Sequence, residues 1–314
     1  MKVLFNAIKG FQTVKAAARL ILLLYLANLA FAVILAVPVH HSLTASLGAS
    51  EAGDRMARGF DYLWWGEFRE KAHGLAASFD PSILGRGALL NNLEGLLEWR
   101  FVGLPAVLLL ALLVYILLHT FLAGGVLTLY REPKPRFEPG AFLQGAVARF
   151  PAFIGLTVLS WIFFFAAGSA LNGRLRGFVG HSSRAALTER TGFWAGLAVS
   201  LFIWALIGLI QMVFDYARVS NVLGERRGVL RSFIEGLGFV VRHPAAAAGL
   251  GLLFFGAGLV WSVVYVLARE SIGTSSPGGV AAVFGLQQVF IAGLVALRCW
   301  AYAGELHLAR YFQR

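Results

Sequence analysis

Long apolar runs alternate with short polar and basic stretches along this 314-residue chain. Six runs, near 17–38, 102–130, 151–171, 193–214, 244–268 and 279–303, reach the ~20 residues that an α-helix needs to cross a ~30 Å hydrocarbon core. No ten-residue alternation of apolar and polar positions marks a transmembrane barrel. The pattern predicts an all-α polytopic membrane protein, a single membrane domain over residues 1–314. Pro38, Pro151 and Pro244 fall at the predicted span boundaries, where a missing N–H is tolerated. Residues 2–19 and the run behind them superficially suggest a signal peptide, but the run is too long and reads as a retained first span.

Shorter amphipathic segments precede the odd-numbered spans. Leu4, Ile8 and Phe11 alternate with Lys2, Asn6 and Lys9 before the first. Phe142, Leu143, Ala146, Val147 and Phe150 recur at helical spacing before the third, and Val229, Leu230, Phe233, Ile234, Leu237, Val240 and Val241 before the fifth. A helix with one apolar and one basic face lies flat at the headgroup boundary, where its cations meet anionic lipid. Cytoplasmic helices packed on other protein are the alternative. The even-numbered spans end alike: "FLAGGVLTLYR" (121–131), "FDYARVSNVLG" (214–224) and "WAYAGELHLAR" (300–310) align without gaps, with small residues at Gly124, Ala217 and Ala303. The expectation is three transmembrane hairpins, each preceded by an amphipathic interfacial helix, related by an axis along the membrane normal.

Composition agrees with a membrane address: 58% hydrophobic, 14% charged and a mean hydropathy of +0.73, where a soluble chain carries about 25% charge. The net charge of +11 would suggest nucleic acid in a soluble protein, but here the positive-inside rule explains it and no nucleic-acid partner is expected. With both termini on one side, that side carries sixteen of the 27 cations and six of the 16 acids. Both termini are therefore expected in the cytoplasm, with the protein in a bacterial inner membrane. The segment 172–192 resists this reading, since Arg174, Arg176, Arg184 and Arg190 face only Glu189 on the predicted outside. Cys299 is the only cysteine, so no intrachain disulfide forms.

Candidate chemistry concentrates in "FDYAR". Asp215 and Arg218 stand three residues apart at the predicted cytoplasmic end of the fourth span, close enough on a helix to pair. Arg298 and Glu305 add charge near the end of the sixth span, where Arg298 is expected to snorkel to the interface. The four residues form either a polar cluster at the cytoplasmic mouth, holding a headgroup or solute, or a structural pair that fixes helix depth. His119 inside the second span is a weaker candidate, expected to hydrogen-bond a neighbouring helix. Gln287 and Gln288 are expected to bond across helices. His40 and His41 lack metal-binding spacing, and no metal or cofactor site is expected. Ser160 and Ser169 have no histidine partner for a hydrolase. "GLGLLFFGAG" (249–258) suits close helix packing rather than nucleotide binding.

Residues 39–100 form the predicted outer loop, with helical periodicity over 59–77 and 87–99 and aromatics at Phe60, Trp64, Trp65 and Phe68. About sixty residues are few for an independent core, so the aromatics are expected to anchor two amphipathic helices to the outer surface or the bundle top. A partner-binding cap is the alternative.

"YLANLAFAVILAVPV" (25–39), "GFDYLWWGEF" (59–68), "FDPSILGRGALLNNLEGLL" (79–97), "DYARVSNVLGERR" (215–227), "FVVRHP" (239–244) and the last Arg-containing helix carry a resemblance over nearly the whole chain. The sequence resembles a bacterial family of uncharacterised six-span integral membrane proteins. It is distantly similar to YciC-type proteins and to the membrane domain fused to some glycerophosphodiester phosphodiesterases. The catalytic barrel of those fusions has no counterpart here, so the resemblance implies fold and inner-membrane address and no catalytic residue. The leading expectation is a non-enzymatic protein that binds membrane lipids, anionic headgroups foremost, or assists envelope transport or assembly. A structural subunit bound to a membrane protein partner, and an intramembrane lipid-modifying enzyme using Asp215, His119 or Glu305, are the alternatives.

Overall fold

A backbone in hydrocarbon satisfies its own N–H and C=O groups only as a helix or a closed barrel, and apolar runs without strand periodicity leave the helix. The computed structural model describes residues 2–48, 51–52, 55, 61–79, 106–132, 135–184, 189–224, 228–273 and 276–313, and among them every regular element is helical. In order these are α1 (Lys2–Ala16), α2 (Ala18–Gly48), α3 (Tyr62–Lys71) with a 3-10 turn at Gly74–Ser78, and α4 (Ala106–Arg131). Then follow α5 (Pro139–Phe165), which passes through a π-helical turn (Ala166–Leu171) into α6 (Asn172–Arg184), and α7 (Glu189–Leu223). The last three are α8 (Val229–Arg242), α9 (Pro244–Glu270) and α10 (Pro277–Gln313). Six helical stretches are long and apolar enough to cross a membrane: α2, α4, α5 running into α6, α7, α9 and α10.

Two of the three prolines do not end helices. Pro244 opens α9 at its first turn, but Pro38 lies inside α2 and Pro151 inside α5. A proline removes one backbone bond, at about 3 kcal/mol in a helix interior. An apolar helix has no water to offer the freed groups elsewhere, so it continues past the break. The amphipathic stretch 139–150 and the third span are therefore one helix, and α2 runs ten residues beyond its predicted end. The segment read as an outer loop from 172 is likewise helical to Arg184. The π turn that feeds it contains the small, buried Ala167 and Gly168. The predicted helix over 87–99 lies outside the described residues.

Packing is concentrated at one end of the bundle. The largest buried cluster takes Leu20 and Leu24 from the start of α2, and Leu122, Val126, Leu127 and Tyr130 from the end of α4. Phe142, Phe153 and Leu156 of α5, Phe214, Ala217, Val219 and Val222 of α7, and Tyr302, Ala303, Leu306 and Ala309 of α10 belong to it too. The ends of α4, α7 and α10 are the three stretches that align in the sequence. Away from that end the apolar side chains face outward, as with Leu252, Phe255, Leu259 and Val263 of α9. That is the expected state where lipid is the solvent.

Each aligned stretch is closely approached by one of the segments that the sequence predicts to be amphipathic. A Cβ on Gly124 of α4 would lie 3.3 Å from the Ala146 carbonyl oxygen of α5. One on Gly236 of α8 would lie 2.5 Å from the Ala217 nitrogen of α7, and one on Gly10 of α1 would lie 2.7 Å from the Gly304 nitrogen and 3.2 Å from the Ala303 carbonyl carbon of α10. The aligned small residues Gly124, Ala217 and Ala303 thus sit where backbones nearly touch. Without a hydrophobic drive between helices in lipid, close backbone approach and cross-helix hydrogen bonds hold such pairs. One turn beyond each crossing, Asn221 Nδ2 donates to Ser232 Oγ at 3.0 Å, and Thr13 Oγ1 lies 2.8 Å from His307 Nε2. At the corresponding place in α4, Thr128 fills the space above Gly145. "GLGLLFFGAG" packs through Leu250 and Phe254, which lie 3.7 and 3.1 Å from the place of a Cβ on Gly304, and through Gly249 against Val3. Added Cβ atoms on Gly251, Gly256 and Gly258 would meet open space, because those glycines face away from neighbouring helices.

Among the described residues of the predicted outer loop, Trp64, Trp65 and Phe68 pack on protein. Asp61 caps α3 by accepting from the Leu63 and Trp64 amides at 3.0 and 3.1 Å. Trp64 and Phe68 are buried with Ala52 and Ala76 against Leu43 and Leu47, and Trp64 Nε1 donates to Ser46 Oγ at 3.0 Å. The overlong α2 is the platform that makes this small core.

Candidate functional site

Asp215 lies eight residues before the end of α7, deep in the packed end of the bundle and 2% exposed. Its carboxylate is surrounded by donors. Arg218, one turn on, donates Nη1 to Oδ1 at 2.9 Å, and Gln211, one turn back, donates Nε2 to both oxygens at 3.0 Å. Arg298 of α10 closes on it with two bonds, Nη2 to Oδ1 at 2.8 Å and Nη1 to Oδ2 at 3.1 Å. Arg298, expected to snorkel, turns its guanidinium onto this carboxylate, because an unpaired acid in this setting costs several kcal/mol.

The guanidinium groups have further contacts. Arg298 Nη2 also donates to the Tyr302 hydroxyl at 3.1 Å, and its Cζ lies 4.3 Å from the centre of that ring. Arg218 Nη2 lies 3.5 Å from Thr157 Oγ1 of α5, which is 3.3 Å from Thr120 Oγ1 of α4. Asp215 thus joins α7 to α10 directly, and to α5 and α4 through Arg218. The Arg298 side chain keeps 42% of its surface accessible, against 3% for Asp215. The pair is open on the arginine side.

Glu305 differs in kind. It is buried one turn beyond Ala301, within electrostatic reach of Asp215, Arg298 and Arg218, yet its Oε2 has no hydrogen-bond partner. A buried acceptor left this way costs about 1–3 kcal/mol. All four predicted cluster residues therefore gather in one place, three of them directly bonded and Glu305 beside them.

His119 lies outside that bonded group, with its Nε2 3.0 Å from Asn28 Oδ1 of α2 and the Tyr115 ring tilted at 51° across its own. The bond to a neighbouring helix is the one expected of it. Gln288 accepts from the Tyr25 hydroxyl at 2.9 Å and so also ties α10 to α2. Gln211, Thr157 and Tyr302 escaped the sequence reading. Gln211 and Tyr302 carry a usable signal, each lying four residues along a helix from a charge it serves.

A second polar region lies at the same end of the bundle. Lys9 and Thr13 of α1, Arg131 at the end of α4, Arg136 in the connection to α5, and His307 and Arg310 of α10 border a cavity of about 780 Å³. Comparison of the chain with protein-family models, with curated proteins and with solved structures gives no match.

Proposed function

We propose that the chain is a non-enzymatic membrane protein that binds anionic lipid in a bacterial inner membrane, with both termini cytoplasmic. The observation that carries this reading is the unpartnered apolar stripe on each crossing helix. Leu4, Phe5, Ile8 and Phe11 of α1 are about half exposed, and Leu230, Ile234 and Val241 of α8 about two-thirds. Leu143 and Val147 in the first turns of α5 are exposed in the same way. Each stripe travels with cations: Lys2, Lys9 and Lys15, then Arg136, then Arg231 and Arg242. Apolar side chains seated among acyl chains with cations at the phosphates account for both faces.

The close crossings of α4 by α5, α7 by α8 and α10 by α1 support a threefold repeat in which α1 and α8 lie in-plane, whereas the corresponding stretch of α5 continues directly into its span. An apolar groove between α4 and α5, about 680 Å³ and bordered by Leu113, Ile116, Ile154 and Val158, has the lining that an acyl chain needs. The full set of donors on Asp215 favours a structural pin over a free base, which weighs against the lipid-modifying enzyme.

Native mass spectrometry of protein released from its own membranes tests the proposal. Discrete adducts of anionic phospholipid, enriched over bulk membrane composition, are expected. Adducts that mirror bulk lipid would overturn it, and a stoichiometric polypeptide would make the chain a subunit instead.

A further inference from the structure

The cavity at the α1–α10 crossing is built from one face of α1. Asn6, Lys9 and Thr13 fall at successive turns and look toward His307, Arg310 and Tyr311 of α10. Its remaining wall is the chain that leaves α4, with Arg131, Pro135 and Arg136. Four cations, Lys9, Arg131, Arg136 and Arg310, thus come from three separate elements to one space, and among the described residues Glu132 is the one acid on its wall. Like charges converging on a concave site repel one another, and the arrangement is relieved by an anion that all of them reach.

Two of the walls are fixed in place. The Arg310 guanidinium hydrogen-bonds the Arg131 carbonyl, which ties the last helix to the end of α4. Thr13 donates to the Lys9 carbonyl at 3.1 Å and meets His307 Nε2 at 2.8 Å, so the α1 face is held in register with α10. Arg136 is exposed at the rim, and Lys9 reaches over the Phe5 ring with its ammonium 4.3 Å from the ring centre. A guanidinium held in place beside exposed cations matches the tetrahedral oxygens of a phosphate better than a neutral ligand.

We propose that this cavity binds an anionic phosphate ester, presented by a lipid headgroup or by a small solute. The cavity is argued from its own walls; only the lipid source of the phosphate rests on the reading of the chain as a lipid binder. Phe5, Ile8 and Phe11 on the same helix face outward beside it, so a lipid whose chains lie along α1 brings its phosphate to the rim.

The test uses the full chain in non-ionic detergent, titrated with dihexanoyl phosphatidic acid, dihexanoyl phosphatidylcholine and glycerol 3-phosphate, and read by calorimetry. Saturable binding of the phosphatidic acid is expected, weakened about tenfold or more by combined Lys9→Gln and Arg136→Gln. Both side chains project into or beside the cavity rather than into the bundle, and an unchanged unfolding temperature checks the fold. Arg136→Gln alone should weaken binding by a smaller factor, and Arg69→Gln on α3, an exposed cation away from the cavity, should leave it unchanged. Equal affinity for glycerol 3-phosphate supports the site and assigns it to a soluble ester; binding of the lipid probe alone supports it and assigns a headgroup. The proposal is overturned if neither anion saturates, if phosphatidylcholine binds as tightly as phosphatidic acid, or if the double variant binds like wild type. Anionic lipid adducts that survive in that double variant would leave the lipid-binding reading standing while this site falls.

Discussion

Arg298 grips Asp215 across the α7–α10 interface with two hydrogen bonds, 2.8 and 3.1 Å long. Removing Arg298 leaves the buried carboxylate with Arg218 as its one counter-ion, and removing Asp215 leaves two guanidinium groups without their shared carboxylate. Asp215→Asn and Arg298→Gln are each expected to lower stability by about 3 kcal/mol, the low end for broken buried pairs because Arg298 is partly accessible. The double variant Asp215→Leu/Arg298→Met should lose less than the two singles together. Thermal unfolding in detergent reads the cycle, and strictly additive losses would show that the two side chains act independently.

Glu305 should respond in the opposite sense. Its Oε2 is buried without a partner, so Glu305→Met replaces an unsatisfied oxygen by apolar atoms of similar volume. A gain of about 1 kcal/mol in unfolding stability is expected. A loss of that size would mean that Glu305 has a bonding partner in the membrane-embedded protein. A gain in stability with weaker lipid retention would mark it as a site residue held at the expense of the fold.

The helix crossings predict position-dependent effects of one methyl group. An added Cβ at Gly236 or Gly10 would meet backbone at 2.5 or 2.7 Å, and overpacking of this kind costs about 1–3 kcal/mol. Gly236→Ala and Gly10→Ala should therefore unfold at lower temperature. Gly238→Ala, two residues along α8 with nothing within 4 Å, should be neutral or slightly stabilising. Equal responses at 236 and 238 would remove the crossing as the cause.

Orientation is tested by single cysteines in a Cys299→Ser background. Arg136→Cys and Arg231→Cys should react with an impermeant maleimide only from the cytoplasmic side, and Glu70→Cys only from outside. All three native side chains are exposed, so access is set by the membrane. Labelling of 136 and 70 from one face would overturn the assignment made from Lys and Arg counts.

The cap of α3 predicts a pH dependence in the outer segment. The hydrogen bond from Arg55, with the Trp64 amide next, holds the Asp61 carboxyl below its ordinary range. A carboxylate lowered in the folded state contributes fully above the ordinary aspartate value of about 3.9 and is lost as pH falls through its depressed value. Hydrogen exchange at the Leu63 and Trp64 amides, corrected for intrinsic rates, should show steady protection down to about pH 4. Protection should fall under more acidic conditions, and Asp61→Ala should already be unprotected at neutral pH.

The six membrane-crossing stretches were legible because the hydrocarbon core demands length and apolarity that nothing else in the chain imitates. The Asp215–Arg218 pair was legible because helical spacing alone brings the two together. The reach of Arg298 to Asp215 was not, since it joins residues 83 apart and depends on how far two helices slide past one another. Pro38 and Pro151 misled for a related reason: in water a proline commonly ends a helix, whereas in lipid the cost of freeing further backbone groups is larger than the cost of one lost bond. The small residues at Gly124, Ala217 and Ala303 were visible as a pattern, but their partners Ala146, Gly236 and Gly10 are set by tertiary contact.

The contact between α1 and α10 also has a consequence for biogenesis. Thr13 and His307 are 294 residues apart, which at ~5–20 residues per second is roughly 15–60 s of synthesis. Throughout that interval the Gly10 face of α1 waits at the membrane without its partner. Asp215 likewise enters the bilayer before its counter-ion on α10 has been made. A chain that stalls before its last helix therefore carries both an uncovered helix face and an incompletely neutralised acid, two marks by which membrane quality control can tell it from a finished one.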